Sequence, residues 1–165
     1  MNITLIGMPA SGKSTVGVLL AKRLGLSFVD TDILIQEQEK KLLKEIIAQE
    51  GLEGFMKVEN QVNSEIQVKD AVIAPGGSVV YGKEAMRHLK EISTVVYLKL
   101  EYSELKKRLG NLKDRGVVLR DGMTLKDLYE ERVPLYEQYA DIVVDEKGKD
   151  AGAIVDYLRD IFEKK

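Results

Sequence analysis

Gly7-Met8-Pro9-Ala10-Ser11-Gly12-Lys13-Ser14 fits the spacing G-x-x-x-x-G-K-[ST], which builds a cradle for phosphate groups. Gly7 and Gly12 let the backbone turn so that successive N–H groups point inward at phosphate oxygens. Lys13 adds a cation for the β- and γ-phosphates, and Ser14 a hydroxyl for Mg²⁺. Pro9, Ala10, Ser11 and Thr15 complete the stretch expected to touch a nucleotide. A glycine-rich turn with an idle lysine would show the same letters, so the context decides. Met1 to Ile6 reads as a short apolar strand, and Thr15 to Leu24 carries Val16, Leu19, Leu20 and Leu24 at helical spacing. Strand, loop and helix in that order are what the phosphate-binding P-loop requires, and they make this chain a nucleotide user.

The remaining elements must hold a partner substrate against that loop. Apolar strand-like runs alternate with amphipathic runs from end to end, the signature of a three-layer α/β/α fold with a five-stranded, mainly parallel sheet. After Met1 to Ile6 the strands are expected at Ser27 to Val29, Ala71 to Ala74, Thr94 to Leu100 and Asp141 to Val144. Helices are expected at about Ile33 to Gln38, Leu42 to Gln49, Gly54 to Gln67, Lys83 to Lys90, Tyr102 to Leu109, Thr124 to Gln138 and Ala151 to Lys164, with Pro134 breaking the sixth of these. Three strands run into polar or glycine-rich segments: the P-loop, Asp30-Thr31-Asp32, and Pro75-Gly76-Gly77-Ser78. In open parallel sheets the ligand crevice lies outside the carboxyl ends of the strands, so these motifs converge. The stretch from 111 to 123 lacks periodicity and reads as a charged flap, and 33 to 65 reads as a substrate-binding lobe within a single domain spanning 1 to 165.

Bulk properties exclude several classes. With 44% hydrophobic and 32% charged residues and only strand-length apolar runs, the chain is expected to be a globular cytoplasmic protein with no membrane partner. Zero cysteines exclude disulfides and thiolate metal sites, and the one histidine, His88, is read as a solvated helix position. A net charge of −2 gives no global attraction to nucleic acid. The cluster Lys106, Lys107, Arg108, Lys113 and Arg115 is better matched to a triphosphate.

Taken in order, these pieces resemble the shikimate kinase family, a branch of the nucleoside-monophosphate-kinase-like P-loop fold. The likeness rests on the P-loop, Asp30-Thr31-Asp32, the segment Glu50 to Glu59, Gly76-Gly77-Ser78, Arg108 with Arg115, and Glu131 to Tyr136 followed by Ala140-Asp141. The resemblance implies an ATP- and Mg²⁺-dependent transfer of the γ-phosphoryl to a hydroxyl of shikimate, within aromatic amino acid biosynthesis, by a monomer. It implies that Asp32 contacts the acceptor hydroxyls and takes the proton, and that Asp30 holds Mg²⁺ through water beside Ser14. Arg108 would pack on the adenine face, Arg115 would close over the phosphates, Arg132 would bind the acceptor carboxylate, and Glu59 would orient the substrate-binding arginines. Each has a plainer alternative: Asp30 and Asp32 as a helix cap, Arg108 as a helix-end cation, Arg132 as an exposed helix cation.

Two departures fall on the acceptor side. Met56 stands where the family has an arginine, the second cation on the carboxylate, and Lys57 next to it points about 100° away. Pro75 replaces the first glycine of a triplet, leaving Gly76 and Gly77 to bring backbone close to a ligand. Gly116 also replaces a family proline in the flap. The expected substrate-binding set is therefore Asp32, Met56, Glu59, Gly76, Gly77 and Arg132, and the expected catalytic set is Lys13, Asp32 and Arg115. A kinase of the same fold acting on another small hydroxylated metabolite, and a non-catalytic ATP-binding regulator, stay open as alternatives.

Overall fold

In the computed structural model, residues 1–110 and 119–164 are described. The strands are β1 (Asn2–Ile6), β2 (Ser27–Asp30), β3 (Ala71–Ala74), β4 (Thr94–Lys99) and β5 (Ile142–Asp145). All pairings are parallel, in the order β2-β3-β1-β4-β5. Alternate residues feed opposite faces, as the pleat requires. Ile3, Leu5, Val72, Val96 and Leu98 pack under α1 (Lys13–Leu24) and α7 (Ala151–Glu163). Ile6, Ile73, Val95 and Tyr97 pack under α4 (Lys83–Ile92), α5 (Tyr102–Leu109) and α6 (Leu125–Tyr139). Both faces are therefore apolar, which is why the strands read as continuous hydrophobic runs.

The strand order sets the position of the crevice. From β1 the chain crosses over β3 to reach β2, whereas from β3 it crosses over β1 to reach β4. The two connections leave neighbouring strands in opposite directions, so a cleft opens between the loop after β1 and the turn after β3. The first is the P-loop and the second is Pro75-Gly76-Gly77.

A third apolar cluster, Ile35, Ile46, Phe55 and Val62, joins α2 (Thr31–Glu39) to α3 (Leu43–Ser64) on one side of that cleft. Two separate helices were expected over α3. The backbone does divide there: two helical runs meet at a kink at Gly51, whose φ of 74° and ψ of 175° are non-helical and readily adopted only by glycine. Pro134, by contrast, does not break α6, which continues through it to Tyr139. One backbone hydrogen bond is lost there. It is offset by a capping box between Thr124 and Asp127 and by burial of Leu125, Leu128 and Tyr136. His88 is half-buried rather than solvated, its Nε2 lying 2.6 Å from the Ile66 carbonyl. The 3₁₀ turn Gly77–Tyr81 was not expected from the sequence. Among the described residues no helix is long and apolar enough to cross a membrane.

Gly17 fixes how closely α1 sits on β2: a Cβ there would lie 2.6 Å from the Phe28 ring and 3.4 Å from Leu5. Gly17→Val is expected to destabilise the fold by about 1–3 kcal/mol through overpacking. Urea denaturation checks this, and an unchanged midpoint would show that α1 can move off the sheet without cost.

Candidate functional site

The P-loop is pinched by its own backbone. A Cβ on Gly7 would lie 2.9 Å from the Leu98 carbonyl oxygen of β4 and 3.0 Å from Ser11 Oγ. Ala10 and Gly12 take left-handed conformations, with φ of 66° and 90°, a cost tolerated for alanine only where the surroundings enforce it. α1 begins directly at Lys13, so its first N–H groups, which have no partners within the helix, face the loop. Lys13 Nζ donates to the carbonyls of Gly7 and Met8 at 2.8 and 2.9 Å. Burial pushes its pKa down to about 8, against the attraction of Asp32.

Across the cleft, the end of β2 and the start of α2 supply two carboxylates. Asp30 caps α2 through Oδ1, accepting from the backbone N–H groups of Asp32 and Ile33 at 2.9 and 3.4 Å. The cap reading of the sequence is thus realised for Asp30, and Asp32 is left facing the cleft. Burial, reinforced by Asp30, raises the Asp32 pKa to about 6, with Lys13 opposing. At neutral pH it is an ionised carboxylate more basic than a solvated one.

The turn after β3 passes between charges. A Cβ on Gly76 would lie 3.0 Å from Glu59 Oε2 and 3.1 Å from Asp32 Oδ1. A Cβ on Gly77 would lie 3.0 Å from Arg132 Nη1, 3.0 Å from Pro9 Cδ and 3.3 Å from the Gly7 carbonyl oxygen. Two consecutive glycines are therefore required for the turn to touch the P-loop on one side and Asp32, Glu59 and Arg132 on the other. Ser78 Oγ donates to Glu59 Oε1 at 2.6 Å. Tyr136 Oη donates to the Gly77 carbonyl at 2.6 Å, tying α6 to the turn.

Arg132 is buried, 2% exposed, yet among the described residues no carboxylate pairs with it. Its Nε lies 3.4 Å from Tyr81 Oη and its guanidinium 5.4 Å from the centre of that ring. A buried guanidinium without a counter-ion is costly unless an anion arrives.

One cavity of about 640 Å³ joins these groups. Pro9, Ala10, Gly12, Lys13, Ser14, Thr15, Asp30, Asp32, Glu59, Gly76, Gly77 and Arg132 all line it. Gly7 and Ser11 shape the loop from behind, with Ser11 Oγ buried and without a hydrogen-bond partner among the described residues. Met56 does not line this cavity. It borders a separate pocket of about 10 Å³, room for roughly one water, together with Tyr81, Arg120 and Arg132. Arg115 lies outside the described residues.

Arg108 sits over the P-loop: its Nη1 donates to the Ala10 carbonyl at 3.0 Å and lies 3.7 Å from Glu146 Oε1. Glu146 is a residue the sequence reading missed. It is 5% exposed, and burial pushes its pKa up to about 7 although Arg108 and Lys13 oppose the shift. It lies in the polar turn Asp145-Glu146-Lys147-Gly148, where nothing in the pattern marks one acid as buried.

A parallel sheet in this order, with a P-loop after its central strand and an acid-lined cleft beside it, defines a P-loop kinase fold. The family model for shikimate kinase matches residues 9–163. A shikimate kinase of Moorella thermoacetica is 39% identical over 162 residues, covering 96% of this chain and 92% of the relative. The solved shikimate kinase of Acinetobacter baumannii in complex with shikimate superposes with a TM-score of 0.87 at 30% identity, covering 99% of this chain and 94% of that one. The enzyme from Aquifex aeolicus superposes at 0.83 with 32% identity, over 99% of this chain and 96% of that one. The chain belongs to the shikimate kinase family.

Glu59 offers a test of the site's electrostatics. Among the described residues its buried Oε2 has no hydrogen-bond partner, and burial raises its pKa from 4.5 to about 7 despite the Ser78 hydrogen bond. Between those values the folded protein holds a proton that the unfolded chain releases, so Glu59 lowers stability as pH rises from about 4.5 to 7. Glu59→Gln is expected to stabilise the free protein at pH 8 by up to about 3 kcal/mol and to change little at pH 5. Thermal unfolding at the two pH values measures this; an equal effect at both would show that Glu59 is ionised throughout.

Proposed function

We propose that the protein is an ATP-dependent shikimate kinase, moving the γ-phosphoryl of MgATP to a hydroxyl of shikimate. The observation that carries this reading is the cavity in which the P-loop faces Asp32 while Arg132, buried and without a carboxylate partner among the described residues, lies on the acceptor side. The solved relative in complex with shikimate supports the same acceptor.

In the proposed reaction, backbone N–H groups of the P-loop and the Lys13 ammonium hold the triphosphate and offset charge on the leaving β-phosphate oxygen. Arg132 binds the acceptor carboxylate, which orients the ring so that a hydroxyl lies beside Asp32. As that oxygen bonds to the γ-phosphorus and the bond to the bridging oxygen breaks, Asp32 takes the hydroxyl proton and ADP departs. Glu59, held by Ser78, faces Asp32 and Arg132 and keeps the acceptor side polar. Arg108 is suited to the adenine face, since a guanidinium already fixed over the P-loop by the Ala10 carbonyl can stack on a flat ring. Arg115 would complete the cation set on the phosphates.

The Ser14 hydroxyl and the free face of the Asp30 carboxylate form an all-oxygen donor pair on the cavity wall. That fits Mg²⁺, which takes few protein ligands and fills its shell with phosphate and water. Bound there, the ion would neutralise phosphate charge.

MgADP release from MgATP is expected to depend on shikimate. Lys13→Met is expected to lower kcat by at least about 100-fold while leaving the circular dichroism spectrum unchanged. A coupled ADP assay reads both. Turnover that ignores shikimate would move the assignment to another hydroxylated acceptor, and turnover that survives Lys13→Met would remove the P-loop from the reaction.

A further inference from the structure

Arg132 is not the only guanidinium on the acceptor side. Arg120 lies with its guanidinium 5.5 Å from the centre of the Tyr81 ring, and Arg132 lies 5.4 Å from the same centre. Both arginines border the small pocket that Met56 also lines. The local charge does not balance. Glu131 is the one carboxylate among the described residues that borders this pocket: its Oε1 lies 3.3 Å from Arg120 Nη1 and accepts the Tyr81 hydroxyl at 2.6 Å. On this pocket two cations thus share one acid, Glu59 facing Arg132 only from the side of the larger cavity, and Met56 adds no charge.

Resting on the shikimate kinase reading, we propose that Arg120 is a specificity-determining residue that supplies the second cation for the acceptor's carboxylate, with Met56 as an apolar wall beside it. Three features fit this role. Arg120 is half-exposed, with its side chain 52% accessible, so its head can turn without breaking a packed core. Glu131 keeps the Tyr81 hydroxyl when Arg120 leaves, so no buried acid is stranded. Both guanidiniums border the same pocket and the same ring, so a carboxylate reached by both takes two charge-assisted contacts. The competing cation is Lys57, which is exposed and borders an adjoining groove shared with Met56, Ser78 and Tyr81, but not the small pocket that Arg120 and Arg132 line.

The test compares the parent, Arg120→Ala, Lys57→Ala and the double variant Arg120→Ala with Met56→Arg, using shikimate and its methyl ester as acceptors. Arg120→Ala is expected to raise KM for shikimate by roughly 10- to 100-fold while leaving KM for ATP unchanged. With the ester, which has no carboxylate charge, the parent and Arg120→Ala are expected to have equal kcat/KM. Met56→Arg is expected to restore most of the loss for shikimate, and Lys57→Ala to behave as the parent. An equal loss for shikimate and ester, or no rescue by Met56→Arg, would show that Arg120 only braces Tyr81 and Glu131 and would overturn the inference. Shikimate turnover indifferent to Arg120 would overturn the inference alone. No shikimate-dependent turnover in the parent would overturn the functional reading as well.

Discussion

The contact between two strand-end turns, the P-loop after β1 and Gly76-Gly77 after β3, is the constraint on which the site depends. Neither glycine contributes a side chain to the gap, which the Pro9 ring and the Arg132 head fill. At Gly77 a single added carbon would strike Pro9, the Gly7 carbonyl and Arg132 at 3.0 to 3.3 Å. The closeness arises from the sheet, because β1 and β3 are hydrogen-bonded neighbours whose connections leave in opposite directions. Tyr136 holds this arrangement from above, since its hydroxyl binds the Gly77 carbonyl while its ring stacks on Tyr97 at 5.1 Å.

Around that contact the protein keeps charges where water solvates them poorly. Lys13 is pushed down to about 8, and Asp32 and Glu59 are pushed up to about 6 and 7, each chiefly by burial. Such groups lower the stability of the empty protein and are retained because a ligand completes them. A triphosphate offers negative charge to Lys13, and a carboxylate offers it to Arg132. In the proposed reaction each substrate relieves a desolvated cation, and both cations line one cavity. Glu146 shows that the same principle reaches behind the P-loop, where a buried acid faces Arg108 at 3.7 Å.

Much of this was legible in the sequence, for reasons that can be named. The five strands were visible because a parallel sheet buried on both faces leaves continuous apolar runs, and the P-loop because its glycines and lysine have no substitutes. The division of 42 to 67 into two helical runs was legible, and it is realised as the kink at Gly51. Pro134 was read as a break, whereas α6 absorbs its proline through caps and buried contacts. The cavity set emerged nearly whole from motif order, since a parallel sheet gathers the segments at the carboxyl ends of its strands along one edge. Met56 was placed by motif alone and lies beside the cavity rather than on its wall. Glu146 and the Tyr81–Glu131–Arg120 network were invisible, because burial and pairing across 11 to 50 residues leave no periodic trace.

The most direct test of the account is a crystal structure of the protein with MgADP and shikimate. The account predicts ADP phosphates on the P-loop, the shikimate carboxylate within hydrogen-bond distance of Arg132, and a ring hydroxyl beside Asp32 facing the nucleotide. Shikimate bound with its carboxylate turned toward Lys13, or bound outside the cavity shared by Asp32 and Arg132, would contradict it.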